Sequence, residues 1–543
     1  MSLRMFSMLL ALCWLPLLAA RETASDAPTA ATAALQDAAH WQSLMAKTRD
    51  SFQVPGIAMA IVSDRQTLFA GGSGLAELGS ERAVDQHTQF AIASLTKAFT
   101  SMALSLLEED GKLSLDDRVI DHLPEFAMAD PFVTREMRIR DLLVHRSGLA
   151  LGAGDLLFWP ASTLSNDEIV RRLRHVPLST SFRADYAYDN VLYAVATRVI
   201  ERVSGLSFFD FLQQRIFNPA GLSETRVNAD HLLDSDRNVA MGHALFDFSE
   251  LRPVPPMTWS NNPGAGGIYS SAHDLARWMQ IHLQAGLLSK SDAGEEQRLL
   301  SADRHAAMWQ LITPISIRPS KVEALKPATP QFLGYGLGWV ISEYRGERVI
   351  SHTGGWPGMV SKLTLIPSRN LGVVVLTNAE VGAAFNALTY SVLDAALAAP
   401  KHDWLGAYAE SIGNSKQEAE ADWQAHQNKR DRRSRPSLPL TAYAGSYRDS
   451  WYGEVKLSVQ GNRLRIAFAH TPQLVGRLEH WQHDSFVIRW DDRSLNADAF
   501  ASFSLGPDGD IRRLGIEAIS PLTDFSFDFH HLDLQPADTE NIH

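Results

Sequence analysis

From Ala442 to the C-terminus the apolar residues recur at every second position. Leu464, Ile466 and Phe468 alternate with polar residues, as do Phe486, Ile488 and Trp490, and later Phe525, Phe527 and Phe529. Period two is the mark of half-buried strands, because successive side chains on a strand point to opposite faces. Gln460-Gly461-Asn462 and Pro507-Asp508-Gly509 supply turn chemistry between the runs. About eight such strands fit between Ala442 and Leu534, which predicts a small antiparallel barrel or sandwich. A sheet of that kind is a unit of its own, so the rest of the 543-residue chain needs a second core.

That second core is organised around a helix. After Phe90-Ala91-Ile92-Ala93-Ser94-Leu95-Thr96-Lys97, the residues Phe99, Met102, Ala103, Leu106 and Leu107 recur at helical spacing until Gly111 ends the run. Ser94 therefore stands at the first turn of a buried helix, with Lys97 on the same face. A serine hydroxyl is a weak nucleophile unless a base lies within about 3 Å, and a lysine desolvated by apolar neighbours is neutral enough to serve.

The flanking segments set the organisation of the chain. Arg4, the apolar stretch Met5 to Leu18 and the small pair Ala19-Ala20 read as a signal peptide over residues 1–20, which predicts export to a periplasm or the medium. The stretch is short for a bilayer span, so no stable membrane insertion is expected once the leader is removed. The single cysteine, Cys13, lies in the leader, so the mature chain has no disulfide and no thiol nucleophile. Residues 21–34 are rich in Ala, Thr and Ser and read as a disordered spacer. Residues 35–400 carry the catalytic candidates, 401–436 form a charged helical linker ending in Lys429 to Arg435, and 437–543 form the barrel. With 50 Lys and Arg against 62 Asp and Glu the net charge is −12, which argues against a nucleic-acid partner.

Within the catalytic portion, Leu35 to Arg49 reads as a helix, Gly56 to Val62 as a buried strand and Gln66 to Ala70 as a second strand, with Gly71-Gly72-Ser73-Gly74 as a turn. Helix plus hairpin predicts a mixed sheet covered by helices. There is no Gly-x-Ser-x-Gly and no His-Glu-x-x-His, which removes the nucleophile elbow and the commonest zinc-protease helix. Gly334, Gly336 and Gly338 lack dinucleotide spacing and read as strand-edge glycines. Tyr188-Asp189-Asn190 precedes a helical run, Val191 to Val203, closed by Gly205. There Tyr188 can exchange protons with Ser94 if a cation such as Lys97 lowers its pKa, and Asn190 can hold both Lys97 and a substrate carbonyl. His352-Thr353-Gly354-Gly355 lies between strand-like Glu347 to Ser351 and Leu363 to Pro367. Its glycine pair admits a substrate backbone and frees an N–H for an oxyanion, and His352 can donate to substrate or to Tyr188. Phe158, Trp159, Trp259 and Trp356 are candidate pocket walls.

Ser94 and Lys97, then Tyr188 and Asn190, then His352, Thr353 and Gly354 resemble, in order and separation, the three motifs of the serine beta-lactamase-like hydrolases. The likeness is to the branch holding class C beta-lactamases, D-alanyl-D-alanine carboxypeptidases, D-aminopeptidases and related esterases. Leu142 to Leu149, Pro263 to Ala276 and the strand Gly372 to Asn378 strengthen it, and it covers roughly residues 38–398. It implies an α+β fold: a beta-lactamase/transpeptidase-like catalytic domain with an antiparallel sheet flanked by helices plus an all-helical region, followed by the C-terminal antiparallel β-barrel. It implies that Ser94 is acylated, that Lys97 and Tyr188 share the base and acid roles, and that Asn190 orients them. The N–H groups of Ser94 and Gly355 would form the oxyanion hole, with Thr353, Gly354 and Gly355 along the substrate. No metal and no organic cofactor is implied.

One position departs from the beta-lactamase pattern: His352 stands where those enzymes carry lysine. Loss of a fixed positive charge turns the expectation from beta-lactams towards small peptides, amides or esters. The barrel resembles the lipocalin-like domain appended to some family members and leaves packing, active-site shaping and homo-oligomer formation open as roles, with an independent ligand pocket as the alternative. The expected activity is thus that of an exported, D-aminopeptidase- or esterase-like serine hydrolase. The alternatives are a peptidoglycan D,D-carboxypeptidase or weak class C-type beta-lactamase, and a penicillin-recognising sensor or scaffold without turnover.

Overall fold

The computed structural model describes residues 30–227, 238–291 and 294–537. The leader, Cys13 and most of the spacer lie outside these residues. The end of the stretch read as a disordered spacer is instead a short helix, Ala30–Leu35. Among the described residues no helix is long and apolar enough to cross a membrane.

The catalytic portion begins with α1 (Ala38–Phe52), whose Trp41, Met45 and Phe52 share one buried face. Next come the hairpin β1 (Gly56–Val62) and β2 (Thr67–Gly74), then β3 (Gln89–Ala91) leading into α2 (Thr96–Glu109). Further along stand α3 (Val191–Ser204), β4 (Arg226–Val227), β5 (Ile268–Ser271) and α4 (Ala272–Leu283). The chain returns through β6 (Thr313–Pro314), β7 (Leu333–Tyr335), β8 (Val340–Tyr344), β9 (Glu347–Trp356), β10 (Met359–Ile366) and β11 (Leu371–Thr377). Two helices, α5 (Gly382–Ala396) and α6 (Trp404–Lys429), lead out of it.

The main sheet runs β6-β7-β8-β9-β10-β11-β1-β2, every neighbouring pair antiparallel, as the family resemblance implied and unlike the mixed sheet suggested by the first helix and hairpin. Its neighbouring strands β1 and β11 are buried along their whole length, which is why they read as unbroken apolar runs. Alternation on β1 splits the interior in two. Ala58, Ala60 and Val62 join the core that contains α2, α3 and α4, while Ile57, Met59 and Ile61 join the core under α1 and α5. Gly71-Gly72-Ser73-Gly74 is not a turn but the second half of β2, paired with Met59 to Gly56. A Cβ on Gly72 would sit 2.2 Å from Val84 O, so glycine here serves a close crossing of backbones.

The C-terminal unit comprises β12 (Gly445–Asp449), β13 (Gly453–Gln460), β14 (Arg463–Phe468), β15 (Val475–Gln482), β16 (Ser485–Trp490), β17 (Ala499–Leu505), β18 (Ile511–Ala518) and β19 (Gln535–Pro536). They lie in the order β18-β17-β16-β15-β14-β13-β12-β19, and a bridge from Leu514 N to Leu534 O at 2.8 Å nearly closes the barrel. The count matches the expectation, but one member differs. Phe525, Phe527 and Phe529 are not a strand: they lie on a loop that turns into the 3-10 helix Phe529–His531, and Gln535–Pro536 is the eighth strand instead. The polar residues between those phenylalanines find their partners in the catalytic portion, which takes the segment out of the barrel ladder. The linker is the solvated helix α6, which buries only Trp404 and Ala407.

Candidate active site

β3 pairs with β5, and beyond it Ile92 N donates to Ile268 O at 3.0 Å. Ala93 then adopts φ 48°, a left-handed conformation that costs a residue with a Cβ on the order of 1–2 kcal/mol. This turn swings Ser94 out of strand direction and into the 3-10 turn Ala93–Leu95 that opens α2. The strained turn is wedged from the other side by β9. A Cβ on Gly354 would lie 2.2 Å from Ile92 O and 3.1 Å from Ala93 Cβ, so any larger residue there pushes β9 off the turn that carries Ser94. Ser361 on β10 adds a hydrogen bond from its Oγ to Ile92 O at 2.8 Å.

Lys97 is wholly buried. Its Nζ lies 2.9 Å from Ser94 Oγ, 2.7 Å from Asn190 Oδ1 and 2.9 Å from Ala265 O. Burial pulls its pKa down to about 7, against the opposing pull of the Asp155 and Asp189 carboxylates. The partner set is informative. All three can accept, and the protonated amine donates to each of them; when Lys97 is neutral, the two carbonyl oxygens, which only accept, take its two protons and leave its lone pair for the Ser94 hydroxyl. The rings of Tyr188 and Tyr193 flank the nitrogen at 4.9 and 5.0 Å.

Burial pushes the Tyr188 phenol well above the usual value of 10, with the Ser94 hydroxyl pulling the other way. The lowering by Lys97 that the sequence suggested does not occur, since water is excluded from both groups and the lysine is easily neutral. Asn190 also departs from expectation. Its Oδ1 holds Lys97 while its Nδ2 is turned away, donating to Asp155 Oδ2 at 2.9 Å, so the amide is aimed at the interior and not at a substrate carbonyl.

His352 differs most. Its Nδ1 lies 2.6 Å from Thr353 O, an acceptor, so this nitrogen carries the proton and Nε2 accepts from Tyr335 Oη at 2.6 Å. Both ring nitrogens are spent, and burial lowers the pKa to about 3, so His352 is neutral and donates neither to substrate nor to Tyr188. It also lies within a strand, because β9 continues through His352 to Trp356 instead of ending at Ser351. Pairing with β8 stops at Ser351, so the second half of β9 has a strand partner only in β10. Thr353 and Gly355 are exposed along this edge, and a Cβ on Gly355 would meet nothing within 4 Å. An extended substrate backbone can lie there as an added strand.

Several residues at the site carry no motif signal. Asp155, wholly buried, holds Asn190, and burial drives its carboxyl well above the usual range. From the barrel loop, Ser526 Oγ donates to Asp155 Oδ2 at 2.9 Å, and Asp528 accepts from Gly154 N at 2.8 Å and Leu156 N at 3.1 Å. Phe525 stands edge-on to Tyr188 with ring centroids 6.1 Å apart, and Phe527 packs on Trp159. The barrel therefore walls the site and reaches the lysine through Ser526, Asp155 and Asn190. Phe158, Trp159, Trp259 and Trp356 do cluster, centred on Trp259, but all four are buried. His145, in the stretch Leu142 to Leu149, is buried with its ring 4.2 Å from that of Tyr188.

Fold and geometry together define a serine hydrolase. The Beta-lactamase family description matches residues 41–397, and the chain belongs to that family. A second match, to a domain of unknown function, DUF3471, covers residues 429–536. The unguisins hydrolase ungD of Aspergillus violaceofuscus is 28% identical over 500 residues, spanning 86% of this chain and 85% of that protein. Penicillin-binding protein 4 of Amycolatopsis lactamdurans is 31% identical over 361 residues, 64% of this chain and 87% of its own length. Among solved structures, the octameric penicillin-binding protein homologue from Pyrococcus abyssi superposes with a TM-score of 0.58 at 19% identity, over 92% of this chain and 99% of that one.

Proposed function

We propose that the protein is an exported hydrolase of small peptides, amides or esters that works through an acyl-enzyme on Ser94. The observation that carries this reading is the contact of the wholly buried Lys97 Nζ with Ser94 Oγ at 2.9 Å, in surroundings that pull the lysine pKa down to about 7. Lys97 takes the serine proton, Ser94 Oγ attacks the substrate carbonyl, and the N–H groups of Ser94 and Gly355 hold the oxyanion. Tyr188, kept as a phenol, passes the proton to the leaving group, and water later releases the acid. Thr353, Gly354 and Gly355 line the substrate edge.

The electrostatics favour an uncharged substrate over an anionic one. His352 is neutral and supplies no cation, and the nearby carboxyl groups are pushed towards their uncharged forms. Glu380 accepts from Gly358 N at 2.6 Å on the hairpin that follows Gly355, and protein packed around it, with Asp524 nearby, raises its pKa to about 7. Asp524 precedes Phe525, the residue that stands on Tyr188. The similarity to a protein named a hydrolase supports hydrolysis as the reaction, and the octameric relative supports self-assembly.

Exposure of the full mature chain and its Ser94→Ala form to a fluorophosphonate, a fluorescent penicillin, a p-nitrophenyl ester and a peptide with a free amino terminus tests the reading by intact mass and product release. A Ser94-dependent adduct with ester or peptide turnover is expected. A persistent penicillin adduct without turnover would favour the sensor or carboxypeptidase alternative, and no adduct with any probe would leave only a binding scaffold.

Two variations of that assay bear on the residues. Because the working base is neutral Lys97, kcat/KM for an uncharged ester rises about tenfold per pH unit below about pH 7 and levels off above it. A flat profile from pH 5 to 9, on the order of the range in which histidine and such a lysine titrate, removes Lys97 as the titrating base. Replacing His352 by lysine restores a cation beside the cleft and raises turnover of carboxylate-bearing beta-lactams relative to neutral esters. An unchanged ratio separates position 352 from substrate charge.

A further inference from the structure

We propose that His87, Glu224 and His273 form a site for one divalent transition-metal ion, zinc above all, that braces the sheet from which the nucleophile turn departs. The site shares no side chain with the Ser94 constellation, and nothing in the family motifs points to it.

Topology brings the three together. β3, β5 and β4 form a separate three-stranded sheet with β5 in the middle and both neighbours antiparallel to it. The starts of β3 and β4 and the end of β5 therefore lie at one end. His87 stands two residues before β3, Glu224 two before β4, and His273 two after β5. Each strand thus delivers one ligand-type side chain to the same place. The backbones there are tied to one another: His273 N donates to Gln86 O at 3.0 Å, and Glu224 N donates to Asp274 Oδ2 at 2.7 Å.

Both imidazoles address the same carboxylate. His87 Nδ1 is 2.8 Å from Glu224 Oε1 and His273 Nδ1 is 3.8 Å from Glu224 Oε2, with the ligand atoms of all three within 4.8 Å of one another. Zinc bonds of about 2.0–2.2 Å to nitrogen and oxygen place neighbouring tetrahedral ligands about 3.3–3.5 Å apart. The observed spacings bracket that distance, and side chains that are 43%, 24% and 52% exposed at His87, Glu224 and His273 are free to turn the remainder. Two imidazoles and a carboxylate suit zinc, cobalt or nickel, whereas calcium and magnesium take oxygen sets.

The surrounding groups supply the outer contacts such a site uses. Ser271 Oγ donates to Glu224 Oε2 and fixes the carboxylate, and His273 Nδ1 also has Asp274 Oδ1 at 3.3 Å. Gln86 Nε2 lies 3.0 Å from His87 Nε2. With Gln86 Nε2 donating to His87 Nε2, the single ring proton stands on Nδ1; metal binding at Nδ1 shifts it to Nε2, and a turn of the Gln86 amide then offers Oε1 to accept it. Water completes the coordination. The ion joins the three strand ends and stiffens the sheet that hands Ile92 to Ile268, without entering the chemistry at Ser94.

The test uses the full mature chain, free of any histidine tag and stripped with a chelator, titrated with zinc by calorimetry and with cobalt(II) by visible absorption. One zinc per chain, d–d bands of a low-coordinate cobalt site and a Tm that climbs with free zinc are expected. His87→Ala and His273→Ala each weaken binding about 100-fold or more, while ester turnover without added metal stays at the parent level. Absence of zinc binding at millimolar metal, on the order of far above any structural-site affinity, overturns the proposal. So does binding of unchanged affinity in both variants, which places the ion elsewhere.

Discussion

Lys97→Ala lowers turnover of an activated ester by on the order of 10³ or more, and Ser94→Ala does the same, because groups that act as one unit are not additive. The double variant is therefore no worse than either single one. Without the amine, the Ser94 hydroxyl keeps only Tyr188, a phenol whose proton burial holds in place. Lys97→Arg fails as badly, since a guanidinium stays charged and offers no lone pair. Near-normal turnover by Lys97→Ala in steady-state assays would move the base elsewhere. Retained labelling of Lys97→Ala by a fluorophosphonate, at a much reduced rate, would separate loss of the base from loss of the fold.

Asp528→Ala has the largest expected effect on stability. Its carboxyl accepts from Gly154 N and Leu156 N in a fully buried seam between barrel and catalytic portion. Removal leaves two buried donors unpaired at about 1–3 kcal/mol each, a substantial part of a typical domain's margin. Hydrogen exchange of residues 152–157 should accelerate and the urea midpoint should fall. Asp528→Asn keeps one acceptor and recovers part of the loss. Exchange rates in Asp528→Ala equal to the parent's would show that the loop holds the seam by its phenylalanines alone.

The residues that the sequence exposed best were those whose chemistry depends on near neighbours in the chain. Ser94 and Lys97 sit one helical turn apart, so their meeting follows from α-helical geometry once the apolar period after Lys97 is seen. The alternation after Ala442 likewise gave the barrel and its strand number. Partner choice was not legible. Asn190 could hold substrate or core, and its turn towards Asp155 depends on a residue 35 positions away. His352 read as a half-charged donor because nothing nearby in sequence announces Tyr335, which takes its Nε2, or the burial that keeps it neutral. The run Phe525 to Phe529 alternates like a strand, yet a strand is defined by the neighbour that takes its backbone hydrogen bonds, and here Ser526 and Asp528 bind the catalytic portion instead.

The sequence by itself determined the two-part architecture and the helix that sets Ser94 and Lys97 one turn apart, because helical and strand periods and short motif spacings are local. Tertiary structure alone decided the protonation states and the hydrogen-bond partners. Those depend on how much water long-range packing removes from Lys97, Tyr188 and His352, and on which distant carbonyls, carboxylates and barrel side chains it puts within reach.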